Sequence, residues 1–155
     1  MTGLAMLLVG LAGCGGDPSG KGAPAVPGAS LTGLYESGNG PRRDQLCMIE
    51  REGRTPTFGF VSWGAGDKSC GGKGIVRRQN GQLRLLLDGD ESCAIEARMD
   101  GDRITLAAPA SAECARYYCG EGAAIPDTPF IRSGGTEEDA RRAVDLVGDP
   151  LCGGS

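Results

Sequence analysis

Histidine is absent from this chain, and the aromatic residues amount to three Phe, three Tyr and one Trp. Without histidine there is no Ser-His-Asp or Cys-His catalytic set and no zinc site with an imidazole ligand. Sparse aromatics leave a thin apolar core. No Cys-x-x-Cys pair occurs, which removes a thioredoxin-type redox site and argues against an all-cysteine zinc site built from Cys93, Cys114, Cys119 and Cys152. No apolar run reaches the ~20 residues that a membrane-spanning helix needs. A basic stripe is lacking too. The net charge is −4, and the pairs Arg42-Arg43, Arg77-Arg78 and Arg141-Arg142 lie far apart in the sequence. A nucleic-acid partner, which wants clustered positive charge, is not expected. No cofactor and no enzymatic activity are expected either.

The apolar run that does exist is short. Residues 4–12 read LAMLLVGLA, the length of the core of a secretory signal. Ala12, Gly13 and Cys14 follow. Leu-Ala-Gly-Cys resembles the lipobox of bacterial lipoproteins. That resemblance implies a diacylglyceryl group on the Cys14 thiol and cleavage before it, so that residues 1–13 are a signal peptide. Two or three acyl chains hold a protein on a membrane where one is marginal. Met1, Thr2 and Gly3 supply no Lys or Arg, as the start of such a signal does, so the natural start is expected upstream. Residues 15–30, GGDPSGKGAPAVPGAS, are rich in Gly, Pro, Ser and Ala, and residues 14–30 read as a lipidated flexible tether. Gly15 after the cysteine resembles the outer-membrane form. The expected location is the bacterial cell envelope, lipid-anchored at the outer membrane and facing the periplasm.

Setting Cys14 aside leaves Cys47, Cys70, Cys93, Cys114, Cys119 and Cys152. An even set in an oxidising compartment predicts three disulfides. The expected pairs are Cys47–Cys70, Cys93–Cys114 and Cys119–Cys152. Each contributes ~2–4 kcal/mol.

Residues 31–155 form one domain, expected to be mainly β. Asn80-Gly81 and Asp100-Gly101 are hairpin pairs, and Asp88-Gly89 lies between them. They divide residues 74–107 into four strands: 74–79, 82–87, 92–99 and 103–107. A two-residue turn at Asn80-Gly81 sets Val76 opposite Leu85 and Arg78 opposite Leu83. One at Asp100-Gly101 sets Ala97 opposite Ile104 and Ile95 opposite Leu106. The apolar faces of the two hairpins agree only if the loop between them is odd in length. Three residues, Asp88-Gly89-Asp90, would pair Leu85 with Cys93 and point Cys93 inward. Residues 31–36, 46–50 and 57–63 supply three more strands. About seven antiparallel strands with short connections favour a small barrel or curled sheet. A disulfide-tethered C-terminal helix begins at Thr136 with a capping box, lines Ala140, Val144 and Val147 on one face beside Ala143 and Leu146, and ends at Gly148.

Residues 114–120, CARYYCG, form the most distinctive segment. They read as a loop held by Cys114 and Cys119, presenting Arg116, Tyr117 and Tyr118 to a partner or covering core with them. Residues 62–74 are glycine-rich and carry Trp63, but do not match a P-loop. They read as a loop tied by Cys70. The acidic pairs Glu50/Glu52 and Asp88/Asp90 read as edge and turn residues. Trp63, Arg116, Tyr117 and Tyr118 are therefore the candidate contacts for a protein partner.

Leu31-Thr32-Gly33-Leu34-Tyr35, Cys47-Met48-Ile49-Glu50, Cys70 and Gly81-Gln82-Leu83-Arg84-Leu85 are together similar to the bacterial metalloprotease-inhibitor family. The likeness runs from residue 31 to about 106. It implies a small lipocalin-like barrel with one disulfide near its start, in which the segment before the first strand, here residues 25–31, enters a protease cleft. The four other cysteines and the C-terminal helix have no counterpart in that family. The expected function is a lipoprotein whose β domain binds a protein partner, as a hydrolase inhibitor does. The alternative is a structural envelope component without a discrete ligand.

Overall fold

Alternation of apolar and polar residues along successive short strands leaves each strand one face to bury. The chain meets that demand by closing on itself. A computed structural model describes residues 29–90, 92–107 and 111–153. The lipobox and most of the tether lie outside the described residues. Eight antiparallel strands form a closed barrel in sequential order. They are β1 (Gly33–Ser37), β2 (Asp44–Ile49), β3 (Thr57–Trp63), β4 (Ser69–Gln79), β5 (Gln82–Leu87), β6 (Ala94–Asp100), β7 (Arg103–Leu106) and β8 (Phe130–Gly134). β8 pairs with both β7 and β1 and so removes the open edge.

The interior is filled by side chains. Tyr35, Leu46, Met48, Phe58, Phe60, Leu85, Ile95, Ile104 and Phe130 are fully buried in one cluster. A second cluster lies outside the wall. Leu34, Cys47, Ile49 and Val61 face outward from β1, β2 and β3, and Ala140, Ala143, Leu151 and Cys152 of the C-terminal segment cover them. Gly59 permits that cover, since a Cβ there would stand 2.7 Å from the Leu151 carbonyl oxygen.

The first hairpin has the expected register, with Val76 opposite Leu85 and Arg78 opposite Leu83. Asn80 and Gly81 both have positive φ, 52° and 77°, as a type I′ turn requires. The next two registers are displaced by two residues. Leu85 faces Ile95 rather than Cys93, and Ala97 faces Leu106 rather than Ile104. A slip of two keeps every side chain on its face. Between β5 and β6 the Leu87 N–H donates to the Cys93 carbonyl, so the number of residues left between that pair is odd, as expected, but larger than three, and Cys93 is buried as expected. The β6–β7 turn uses Gly101-Asp102, because Asp100 pairs with Arg103. Gly101 takes the positive φ at the first turn position.

Two helices flank the barrel. α1 (Ala112–Tyr118) is capped by Ser111, whose hydroxyl accepts the Cys114 N–H. α2 (Glu137–Ala140) carries the expected capping box, with Asp139 returning the bond to the Thr136 N–H. α2 then stops after one turn. The Asp145 carboxylate accepts the N–H groups of Val147 and Asp149, a local alternative to helical bonding. Val144, Leu146 and Val147, expected on a buried helix face, are exposed.

The disulfides are Cys47–Cys152, Cys70–Cys119 and Cys93–Cys114. The last was expected; the pairs Cys47–Cys70 and Cys119–Cys152 were not found. Cys47 points outward from β2 while Cys70 points inward from β4, so the wall separates their sulfurs. Cys119 lies at the C-cap of α1 and forms a β-bridge with Cys70.

Candidate functional site

One end of the barrel is closed by α1. Cys114 and Cys119 pin the helix to β6 and β4, and Gly120 N–H donates to the Ser69 carbonyl at 2.9 Å. Tyr118 turns inward and packs against the core. Its hydroxyl donates to the Asp88 carbonyl at 3.3 Å. Burial raises its pKa, with Tyr117, Asp90 and Asp88 adding to the effect. Tyr117 is 69% exposed and meets the Tyr118 ring edge-on at 4.8 Å between centroids. Arg116 is exposed beside it. The segment expected to be a loop is thus a helix, with one tyrosine covering core and one facing out.

Trp63 ends β3 opposite Ser69, at the same end of the barrel as α1. It points to the outer wall rather than into the cap. Its ring is half-buried against the second cluster, and the Arg42 guanidinium lies over it at 5.2 Å. The Trp63 backbone N–H donates to the Asp44 carboxylate at 2.7 Å. Burial raises the Asp44 pKa, and this bond opposes the shift. Trp63 and α1 therefore share an end but present different faces.

The C-terminal segment adds a feature not read from the sequence. A groove of about 360 Å³ runs between the outer wall at Val61, Gly71 and Lys73 and the turn holding Leu146, Val147 and Pro150. Val147 is 83% exposed and Leu146 47%. Gly71 has no side chain to fill the floor. Asp145, followed by Gly148 and Asp149-Pro150, was the available signal that helical periodicity fails here.

At the opposite end the chain enters the barrel. Leu31 is fully buried, and its N–H donates to Glu50 Oε2 at 3.0 Å. Arg78 donates to the Ala29 carbonyl, and Arg132 to the carbonyls of Ser30 and Thr32, each at 2.8 Å. The Tyr35 hydroxyl donates to the Leu31 carbonyl. Residues 29–31 are therefore built into the barrel, and of the segment 25–31 only residues 25–28, outside the described residues, are left to enter a cleft.

One carboxylate of each acidic pair is engaged in the fold. Glu50 holds Leu31 and Arg78, and Asp90 accepts from the Ser92 N–H and hydroxyl. Among the described residues no three His, Cys, Asp or Glu side chains converge as a metal site. Among the described residues no helix is long and apolar enough to cross a membrane. The chain matches no protein-family model, no curated protein and no solved structure.

Proposed function

We propose that the chain is an exported lipoprotein, anchored through Cys14, whose barrel binds a protein partner of the bacterial envelope on its outer surface. The single observation carrying the binding part is the exposed apolar edge of Leu146 and Val147 along the groove beside Lys73. It stands on a wall held by the Cys47–Cys152 bridge. A rigid scaffold presenting an apolar loop is the arrangement that partner recognition uses. A partner offering an extended apolar segment with a carboxylate for Lys73 fits this edge. The filled interior leaves the outer surface as the place for recognition. Lipocalin-like closure is compatible with hydrolase inhibition, but the buried Leu31 moves any inhibitory contact away from residues 29–31.

A photoreactive amino acid placed at Val147 in cells tests this reading. A discrete cross-linked adduct from position 147, absent from the same label at Thr105, supports it. No adduct from position 147, or equal adducts from both, overturns it.

A further inference from the structure

The end at which the chain enters the barrel differs in charge from the end closed by α1. Residues 29–31 sit among Glu50, Arg78 and Arg132, so the tether meets the rim formed by the β2–β3 loop and the turns at Asn80-Gly81 and Gly101-Asp102. That rim and the strand ends beside it carry Arg51, Arg54, Arg77, Arg78, Arg98 and Arg103. All six are exposed. With α2, which follows β8 at this end, the acids alongside are Glu50, Glu52, Asp100, Asp102, Glu137, Glu138 and Asp139, against these six arginines and Arg132, Arg141 and Arg142. Four of these acids have a fixed charge partner: Glu50 pairs with Arg78, Asp102 with Arg132, Glu137 with Arg51 and Arg141, and Asp139 with Arg142. Among the described residues, Arg54, Arg77, Arg98 and Arg103 have no carboxylate within 4.0 Å. Arg77 stands directly opposite Arg84 across β4–β5, a like-charge pair that costs stability unless an anion lies over it. Arg84 finds Glu96 at 2.8 Å; Arg77 finds none. The connections at the α1 end carry the opposite balance, with Asp67, Asp88, Asp90, Glu113, Glu121 and Asp127 against Arg42, Arg43, Lys68 and Arg116.

We infer that this arginine rim is a membrane-facing surface that binds the anionic headgroups of a phospholipid bilayer. The chain supplies the geometric argument. Cys14 lies fifteen residues before Ala29, a stretch that spans at most ~50 Å even when fully extended. An acyl anchor on Cys14 therefore keeps the entry end of the barrel near the bilayer, and the arginines ring that entry point. Charges within a Debye length of an anionic surface add to binding. The acidic α1 end is repelled by the same surface, so the barrel stands with Tyr117 and the Trp63 edge turned away from the lipid. The inference takes its setting from the anchored reading, but headgroup binding by the rim is a property of the barrel.

The test uses the full chain carrying Cys14→Ser, so that no acyl group contributes. Its co-sedimentation is compared on vesicles of pure phosphatidylcholine and of phosphatidylcholine with 30% phosphatidylglycerol at 0.1 M salt, where the Debye length is about 10 Å. Residues 1–13 carry no charged side chain and are common to every variant, so the differences between variants read the arginines. Tenfold or greater preference for the anionic vesicles is expected, lost in 0.5 M salt. The variant R54Q/R77Q/R98Q/R103Q should remove the preference, each arginine being worth about fivefold. R42Q/R43Q/R116Q, the same kind of change at the other end, should keep it. Absence of a preference in the parent chain overturns the inference, as does equal loss in the two variants. Binding of the rim to polyglutamate without binding to anionic vesicles overturns it in favour of an acidic protein. Failure here leaves acylation of Cys14, read by labelling in cells, standing; failure of acylation leaves the vesicle result standing.

Discussion

Tyr35 joins three parts of the molecule at one side chain. Its ring is fully buried, the Arg132 guanidinium lies over it at 4.8 Å, and its hydroxyl holds the Leu31 carbonyl at 3.0 Å. Burial pushes its pKa up to about 12, opposed by Arg132. The unfolded phenol ionises near 10. Below that pH both states keep the proton, and the group adds no pH dependence. Between pH 10 and 12 the unfolded state loses its proton first, so stability falls as pH rises, by roughly 2 kcal/mol over the interval. Denaturant unfolding of the parent and of Tyr35→Phe checks this. The variant should start about 1 kcal/mol less stable at pH 8 for want of the hydrogen bond and then show a flatter alkaline fall. Parallel curves would assign the alkaline loss to other groups. Ser62 offers the reverse case. Its buried hydroxyl has no partner among the described residues. Ser62→Ala should therefore leave stability unchanged or raise it by about 1 kcal/mol, and a fall of more than 1 kcal/mol in the melting analysis would show that the hydroxyl is satisfied.

Among the elements, hairpins were legible and connections were not. Asn80-Gly81 marks its turn because few residues accept positive φ at two successive positions, and the apolar alternation beside it sets which face is buried. Alternation repeats every two residues, so it cannot distinguish a register from one displaced by two; Ile95 and Cys93 fit the same face opposite Leu85. β8 was missed because residues 130–134, FIRSG, offer one strongly apolar inward position, Phe130, and close the barrel through backbone pairing instead. The C-terminal helix was overextended because Ala140, Ala143, Val144 and Val147 fit a helical period, while the Asp145 side chain wins the local competition for backbone N–H groups. Two cysteine pairs were misassigned for a related reason: closeness in sequence order says nothing about which side of a wall a sulfur faces. The observed pairs also rank. Cys47–Cys152 closes a separation of 105 residues and Cys93–Cys114 one of 21. The chain-entropy account gives ~4.7 against ~3 kcal/mol. Cys47→Ala/Cys152→Ala should accordingly lower stability more than Cys93→Ala/Cys114→Ala in denaturant unfolding, and an inverted order would refute that account for this barrel.

The whole molecule is a barrel closed three ways: by β8 joining β1, by α1 stapled over one end, and by the C-terminal segment bridged to the outer wall. All three bridges need an oxidising compartment to form, and the export proposed from Leu-Ala-Gly-Cys14 would supply a route to one. The candidate site was legible only in part. Tyr117 is exposed as a contact must be, Tyr118 and Trp63 are half-committed to packing, and Val147, read from the sequence as part of a helix face, is more exposed than Tyr117. Val147→Ser should leave the melting temperature within about 2 °C, since an 83% exposed side chain has little burial to lose; a larger drop would place it in the fold. The proposed function requires export, anchoring and oxidation of one chain. Intact-mass measurement of the protein extracted from bacterial membranes reads all three together. The predicted result is a chain beginning at Cys14, bearing a diacylglyceryl group on that cysteine, whose other six cysteines resist alkylation until reduced. A chain that retains residues 1–13, carries no lipid and alkylates freely without reduction would contradict it.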